Sequence, residues 1–319
     1  MKYFIFSPTD SITGGAENLH QIGHAINQAG ENAFISYYPK SHGGRAKDFF
    51  KAYGLESKLP KDNIDEILII PELDTNIASQ FNKAKRIISW LSVDNYYQKK
   101  RNKPFYDEYI SIKRLLRGYR LPFFILKKFY HITQSHYASS FLEKKGINSS
   151  FVGDYINQDF IRNIETAKQQ QKEKVVLYNP KKGHKYNEFV INANPQITFL
   201  PLINYTRGEM IRLLQTSKVY MDLGHHPGKD RIPREAAISG CCIITSKSGS
   251  AKNRVDVPID EKYKVHLKKR SLLKIGKTIN SIFADYEKSY RSFNEYSQII
   301  KSEKINFSEN VKNMLELYA

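Results

Sequence analysis

Five charged residues, Lys229, Asp230, Arg231, Arg234 and Glu235, fall within seven positions of the stretch GHHPGKDRIPREAAISG. Pro233 suits the first turn of a helix, Asp230 is placed to cap it, and Gly240 ends it. The dipole makes that first turn positive and favours acids there. Lys229, Arg231 and Arg234 therefore repel one another and oppose the dipole. A pattern that works against local folding points to a ligand, and this one points to an anion. Glu235 lies in the same turn, placed to pair with an arginine or to accept hydrogen bonds from sugar hydroxyls.

Two further stretches carry similar chemistry. VVLYNPKKGHK ends an apolar strand at Asn179-Pro180 and sets Lys181, Lys182 and Gly183 at its carboxyl end, where ligands of open α/β sheets sit. TGGAENLHQIGHAINQAG puts Gly14 and Gly15 at a helix start. Backbone without side chains can approach a ligand closely, and the unpaired N–H groups of a helix start attract anions. Asp94, in WLSVDNYY at another strand end, has the position of a general base.

Several chemistries are excluded. No G-x-G-x-x-G follows the first strand and no acid closes the second, where SYYPK stands, so NAD is disfavoured. GHHPGKD is one residue short of a P-loop and has Asp230 in place of Ser or Thr. H-E-x-x-H is missing, and His225 and His226 are adjacent, a spacing unsuited to zinc. G-x-S-x-G does not occur either. No metal and no cofactor is expected. The two cysteines, Cys241 and Cys242, point to opposite faces if they share a strand, and read as buried free thiols in a reducing cytoplasm.

The elements that must position these residues follow from hydrophobic patterning. KYFIFS, NAFISYY, DEILIIP, KRIISWL, HITQS and SSFVGDYI are strand-like runs separated by helical patterns, which predicts a parallel sheet covered on both faces. NIETAKQQQKEK, residues 163–174, is polar and reads as a linker. VVLYNP, ITFLPL, KVYMDLG, CCIITS and KYKVHL then restart the alternation, and a mainly helical tail closes the chain. The division expected is 1–162 for a first Rossmann-like domain, 163–174 for a linker, 175–290 for a second such domain, and 291–319 for a helical tail packing back on the first.

Net charge is +18 over 319 residues, which implies an anionic partner. Between Gln98 and Tyr130, ten Lys/Arg, two acids and eight aromatics are interleaved, a composition suited to an anionic membrane surface. No run approaches the roughly 18 apolar residues of a membrane span, and MKYFIFSPTD is too short for a signal peptide. A cytoplasmic protein, peripheral at the inner face of the plasma membrane, is the expectation.

In this order, the motifs resemble the GT-B glycosyltransferases of the GT4-like group, which include capsule and lipopolysaccharide enzymes. GGAENLHQIGHAINQAGENAFI looks like the group's G-G-x-E start and amphipathic helix, and TQSHYASSFLEKKGI with VGDYIN like the end of its first domain. YNPKKG is similar to its strand-turn ending in Lys-Gly, whose basic residues bind the donor diphosphate. REAAISGCCII resembles the helix with the second glutamate of E-x7-E. The resemblance implies an α/β protein of two Rossmann-like domains whose parallel sheets face a central cleft. It also implies transfer of a sugar from a nucleotide-diphosphate donor, itself a substrate, to a glycan or lipid-linked acceptor, with retention and without metal.

On that basis, Glu235 is expected to hold the ribose and Lys182 and Arg231, with Lys229, to neutralise the leaving diphosphate, while Lys181 and Arg234 also bind the donor. Gly14 and Gly15 close over the phosphates, and Asp94 is the base if the reaction inverts. One departure stands out. Eight positions before Glu235 is Pro227, so the first glutamate is absent, and Asp222, His225, His226 and Asp230 are the available substitutes. The alternatives are a GT-B-fold epimerase, an inactive nucleotide-binding relative, and a basic nucleic-acid-binding protein. No recognition motif supports the last, so nucleic acid is not expected as a partner.

Overall fold

A computed structural model describes residues 1–38, 44–97, 120–166 and 170–318. The chain forms two compact units, one of Met1–Asp154 with Ile305–Ala319, the other of Tyr155–Lys304.

The strands of the first unit are β1 Lys2–Pro8, β2 Asn32–Tyr38, β3 Glu56–Ser57, β4 Glu66–Pro71, β5 Lys85–Trp90, β6 Tyr130–Thr133 and β7 Ser150–Phe151. They form one sheet in the order β3-β2-β1-β4-β5-β6-β7, all in parallel. Phe4, Ile5 and the run Ile67, Leu68, Ile69, Ile70 are almost wholly buried. Strands covered on both faces require such uninterrupted apolar runs. The helix Gly14–Gln28 packs with Leu19, Ile22 and Ile26 inward, the spacing of one helical face. At the carboxyl terminus, the Tyr318 ring lies 4.8 Å from that of Tyr130, and its carbonyl accepts from Lys85 Nζ at 3.2 Å.

The strands of the second unit are β8 Glu173–Tyr178, β9 Thr198–Pro201, β10 Ser217–Asp222, β11 Cys242–Ser246 and β12 Lys264–Val265. Their order is β12-β11-β10-β8-β9, again parallel. The helices His184–Asn192, Arg207–Thr216 and Arg231–Ile238 follow β8, β9 and β10 in the chain. From β8 the chain steps outward to β9, then returns to build the other side from β10. The β8–β10 gap is thus the switch point, where open α/β sheets leave a crevice at their carboxyl ends.

Three sequence expectations shift. The edge strand β3 escaped notice because two exposed polar residues carry no hydrophobic pattern. Only Ser150–Phe151 of the run 149–156 is a strand. The supposed linker 163–174 contains the end of the helix Gln158–Thr166 and the start of β8. Ile156 and Phe160 anchor that region in the second unit's core, an apolar contribution outweighed in the reading by the surrounding glutamines.

Candidate functional site

Two loops meet at the β8–β10 switch point. After β8, Asn179 Oδ1 accepts from Lys181 N at 3.0 Å, and Gly183 turns the chain with φ +63°. A Cβ on Gly183 would stand 2.5 Å from Leu223 O, so only glycine lets this loop lie against the loop after β10. Asn187, buried on the next helix, donates to Asn179 O and Lys182 O at 3.0 and 2.9 Å. The loop is pinned at both ends before any ligand arrives.

Lys182 projects from it. Its Nζ donates to Asp230 Oδ2 at 2.6 Å, and the same oxygen lies 2.8 Å from His226 Nδ1. On the far side of the imidazole, Nε2 is 3.8 Å from Asp222 Oδ1. Asp222 also accepts from Gly224 N at 3.0 Å and from Tyr220 Oη at 3.2 Å. A chain of alternating charge therefore runs from the end of β10 to the exposed edge of the β8 loop. Burial works against the His226 proton, but the hydrogen bond to Asp230 and the Asp222 and Asp230 charges outweigh it and raise its pKa. For Asp230, burial alone would raise the pKa; His226 and Lys182 prevail and hold it below the usual value.

Asp222, His226 and Asp230 can each bring a ligand atom within 4.8 Å of the others, the spacing of a metal cage. Their commitments argue otherwise. One Asp230 oxygen serves both Lys182 and His226, and an ammonium 2.6 Å from a would-be ligand repels a second cation. The arrangement neutralises charge internally.

The remaining predicted residues separate. Lys181 is exposed, and Arg231 begins the helix Arg231–Ile238. Arg234, expected at the anion, is 1% exposed, and its Nη1 lies 2.7 Å from Glu303 Oε2. Lys229 Nζ is 2.7 Å from Glu303 Oε1. The charge pattern that opposed folding locally is thus answered by one buried carboxylate from a distant helix, and Arg234 is an interior residue. Nothing in local spacing ties Glu303 to position 234, so the sequence alone does not reveal the pairing.

Glu235 is fully buried, with Oε1 2.8 Å from Arg207 Nη2 and Oε2 lacking a hydrogen-bond partner among the described residues. Arg207 was also missed; it starts the helix after β9 and stacks over the Phe160 ring at 4.7 Å. Of the proposed substitutes for the missing glutamate, Asp222 and His226 are buried, while His225 is exposed, with Nδ1 2.6 Å from Ser248 Oγ.

Gly14, Gly15 and Asp94 belong to the first unit. Thr13 Oγ1 caps the helix there, accepting from Ala16 N at 3.3 Å, and Leu91 fills the space beside Gly15. Asp94 follows β5, with Oδ2 3.2 Å from Tyr137 Oη. Of the basic-aromatic segment, residues 98–119 lie outside the described residues. Arg120, Leu121 and Leu126 are interior, with Arg120 donating to Leu73 O at 2.8 Å. Phe124, Lys127 and Lys128 are exposed.

A cavity of about 810 Å3, lined by Lys172, Gln215, Lys218, Tyr286, Glu287 and Tyr290 among others, lies at the amino ends of β8 and β10. Lys172 Nζ there donates to Leu214 O, Ser217 O and Ser239 O at 3.0, 3.1 and 2.7 Å. These carbonyls end the helices Arg207–Thr216 and Arg231–Ile238, so one half-buried lysine caps both. Cys241, next to it, is a buried free thiol, as is Cys242.

Among the described residues, no helix is long and apolar enough to cross a membrane. No protein-family model and no curated protein matches the sequence. Solved structures do match. HepE from Anabaena, in complex with UDP-glucose, is 11% identical with TM-score 0.67, covering 99% of each chain. Sucrose-phosphate synthase from Thermosynechococcus elongatus is 13% identical with TM-score 0.65, over 100% of this chain and 98% of the other. WaaG, a glycosyltransferase involved in lipopolysaccharide biosynthesis, is 10% identical with TM-score 0.59, over 98% and 99%. The protein has the GT-B fold.

Proposed function

We propose that this protein is a glycosyltransferase that moves a sugar from a nucleotide-diphosphate donor to a glycan or lipid-linked acceptor in bacterial surface polysaccharide synthesis. The observation that carries the reading is the Lys182 ammonium at the β8–β10 switch point, held on Asp230 at the rim of two interlocked loops. The fold is shared over nearly the whole length with HepE, which was crystallised with UDP-glucose.

In the reaction, the acceptor's hydroxyl oxygen bonds the sugar's anomeric carbon as its proton passes to the departing phosphate. The bond between that carbon and the diphosphate oxygen breaks, and negative charge grows on the leaving oxygen. Lys182 and Arg231 meet that charge, and fixed cations aimed at developing charge are commonly the largest catalytic contribution. Lys181 lies on the same loop as Lys182. Glu235 Oε2, a buried acceptor with no hydrogen-bond partner, takes a ribose hydroxyl once Arg207 yields room. Among the substitutes for the missing glutamate, His225, two residues before Pro227, is exposed and placed to face the donor sugar's side of the loop. Retention and independence of metal follow the resemblance to the GT4-like group.

A thermal-shift panel of UDP, GDP, CDP and ADP against single-stranded DNA tests the reading. Stabilisation by one nucleotide, lost in Arg231→Ala, is expected. Stabilisation by DNA alone sinks it. A second reading concerns Phe124, exposed beside Lys127 and Lys128, which suits peripheral contact with an anionic membrane. Cosedimentation with phosphatidylserine vesicles that persists after Lys127→Glu with Lys128→Glu would refute it.

A further inference from the structure

We infer that His226 is a positioning residue: lodged between Asp222 and Asp230, its imidazolium fixes the carboxylate that aims Lys182, so nucleoside-diphosphate binding weakens when His226 gives up its proton. The inference rests on the reading of this loop pair as the diphosphate site.

The geometry favours the proton. His226 is 1% exposed and reaches Asp230 with Nδ1 at 2.8 Å, so that nitrogen carries hydrogen. Nε2 has no hydrogen-bond partner among the described residues and faces Asp222 Oδ1 at 3.8 Å. A neutral ring would turn its remaining lone pair towards a buried carboxylate, a repulsion that the imidazolium converts into attraction. The Tyr220 hydroxyl and Gly224 N complete the Asp222 environment. From the loop after β11, the backbone of Ser250 holds the ring's own segment, donating to His226 O at 2.9 Å. The charged groups around the ring are therefore Asp222, Asp230 and Lys182. With the imidazolium present, two anions and two cations sum to zero. Without it the ring keeps its Nδ1–H on Asp230, but the network is net negative and Lys182 alone balances two carboxylates, which hold it more tightly. Both changes oppose a bound diphosphate.

Calorimetric titration of the wild type and His226→Gln with UDP, GDP, CDP and ADP at pH 7, 8 and 9 tests this. The terminal phosphate, with a second pKa near 6, is about nine-tenths ionised at pH 7 and more so above. Its own titration would strengthen binding as pH rises, opposite to the effect expected. For the nucleotide that binds, wild-type affinity is expected to fall about tenfold from pH 7 to 9, and that of His226→Gln by less than about twofold. A residue that merely supports the fold would lower the melting temperature and leave the two pH profiles parallel. Because the variant can fail to fold, the His226 ring is also titrated by NMR in the wild type. Linkage is reciprocal, so bound nucleotide must raise its pKa. Binding with parallel profiles, or a His226 titration unmoved by bound nucleotide, overturns the inference and leaves the nucleotide site standing. Failure of all four nucleotides to bind overturns the site and the inference together.

Discussion

Lys172 and Lys182 flank β8, one before its first residue and the other in the loop beyond its last. Their sequence settings look alike, QQQKEK and NPKKG. At the amino end, Lys172 spends all three ammonium hydrogens on carbonyls that end two helices. At the carboxyl end, Lys182 rests on one carboxylate that it shares with His226. The first lysine is closed off by the fold. The second sits at a rim, its charge balanced but its hydrogen-bonding capacity unfilled. A lysine is a structural part when backbone saturates it and a functional one when a single shared carboxylate holds it at a rim.

Breaking the closed end costs the most stability. Lys172→Met should destabilise the protein by about 3 kcal/mol in urea unfolding, because three carbonyls ending two helices lose their shared charged donor. The nucleotide affinity of the folded fraction should not change. Arg234→Met probes a third cation of the same closed kind. It should also cost about 3 kcal/mol by leaving Glu303 buried with less of its compensating charge, and Arg234→Met with Glu303→Leu should recover part of that loss. Lys182→Met reverses the pattern: stability within about 1 kcal/mol of wild type, but turnover about 100-fold lower in a donor-saturated assay. The smallest effect is expected at the capping box of the helix Arg207–Thr216, where Thr206 and Glu209 bond reciprocally. Thr206→Ala should cost about 1 kcal/mol by thermal melting.

The two ends also respond oppositely to pH. Burial lowers the Lys172 pKa, so the unfolded chain binds the proton more tightly, and this end gains stability as pH rises from the folded value towards 10.5. His226 is raised above 6.5, so its contribution is complete below that pH and is lost as pH climbs through the folded value. Asp230 is lowered below 3.8, and its contribution fades as pH drops through the folded value. Urea unfolding of the wild type against Lys172→Met and His226→Gln across pH 5 to 9.5 separates the two limbs. Identical pH dependence in all three proteins would erase the contrast.

Much of this was legible in the chain. Uninterrupted apolar runs such as EILIIP and CIITS fixed strands buried on both faces, and their alternation with helices fixed parallel sheets. Lys-Lys-Gly at a strand end and the proline-started helix marked the two loops, because turn and cap residues act over a few positions. What each charge does was not legible. Three cations near one helix start looked alike in sequence. Strand order put Lys182 at the switch point, while Glu303, some seventy residues further along the chain, drew Lys229 and Arg234 away. Arg207 reached Glu235, and Lys172 found carbonyls on two helices, by the same long-range packing. Hydrophobic period and turn chemistry are local and survive in sequence. Charge partnership depends on which distant segments share a buried volume, and only the tertiary structure decides that.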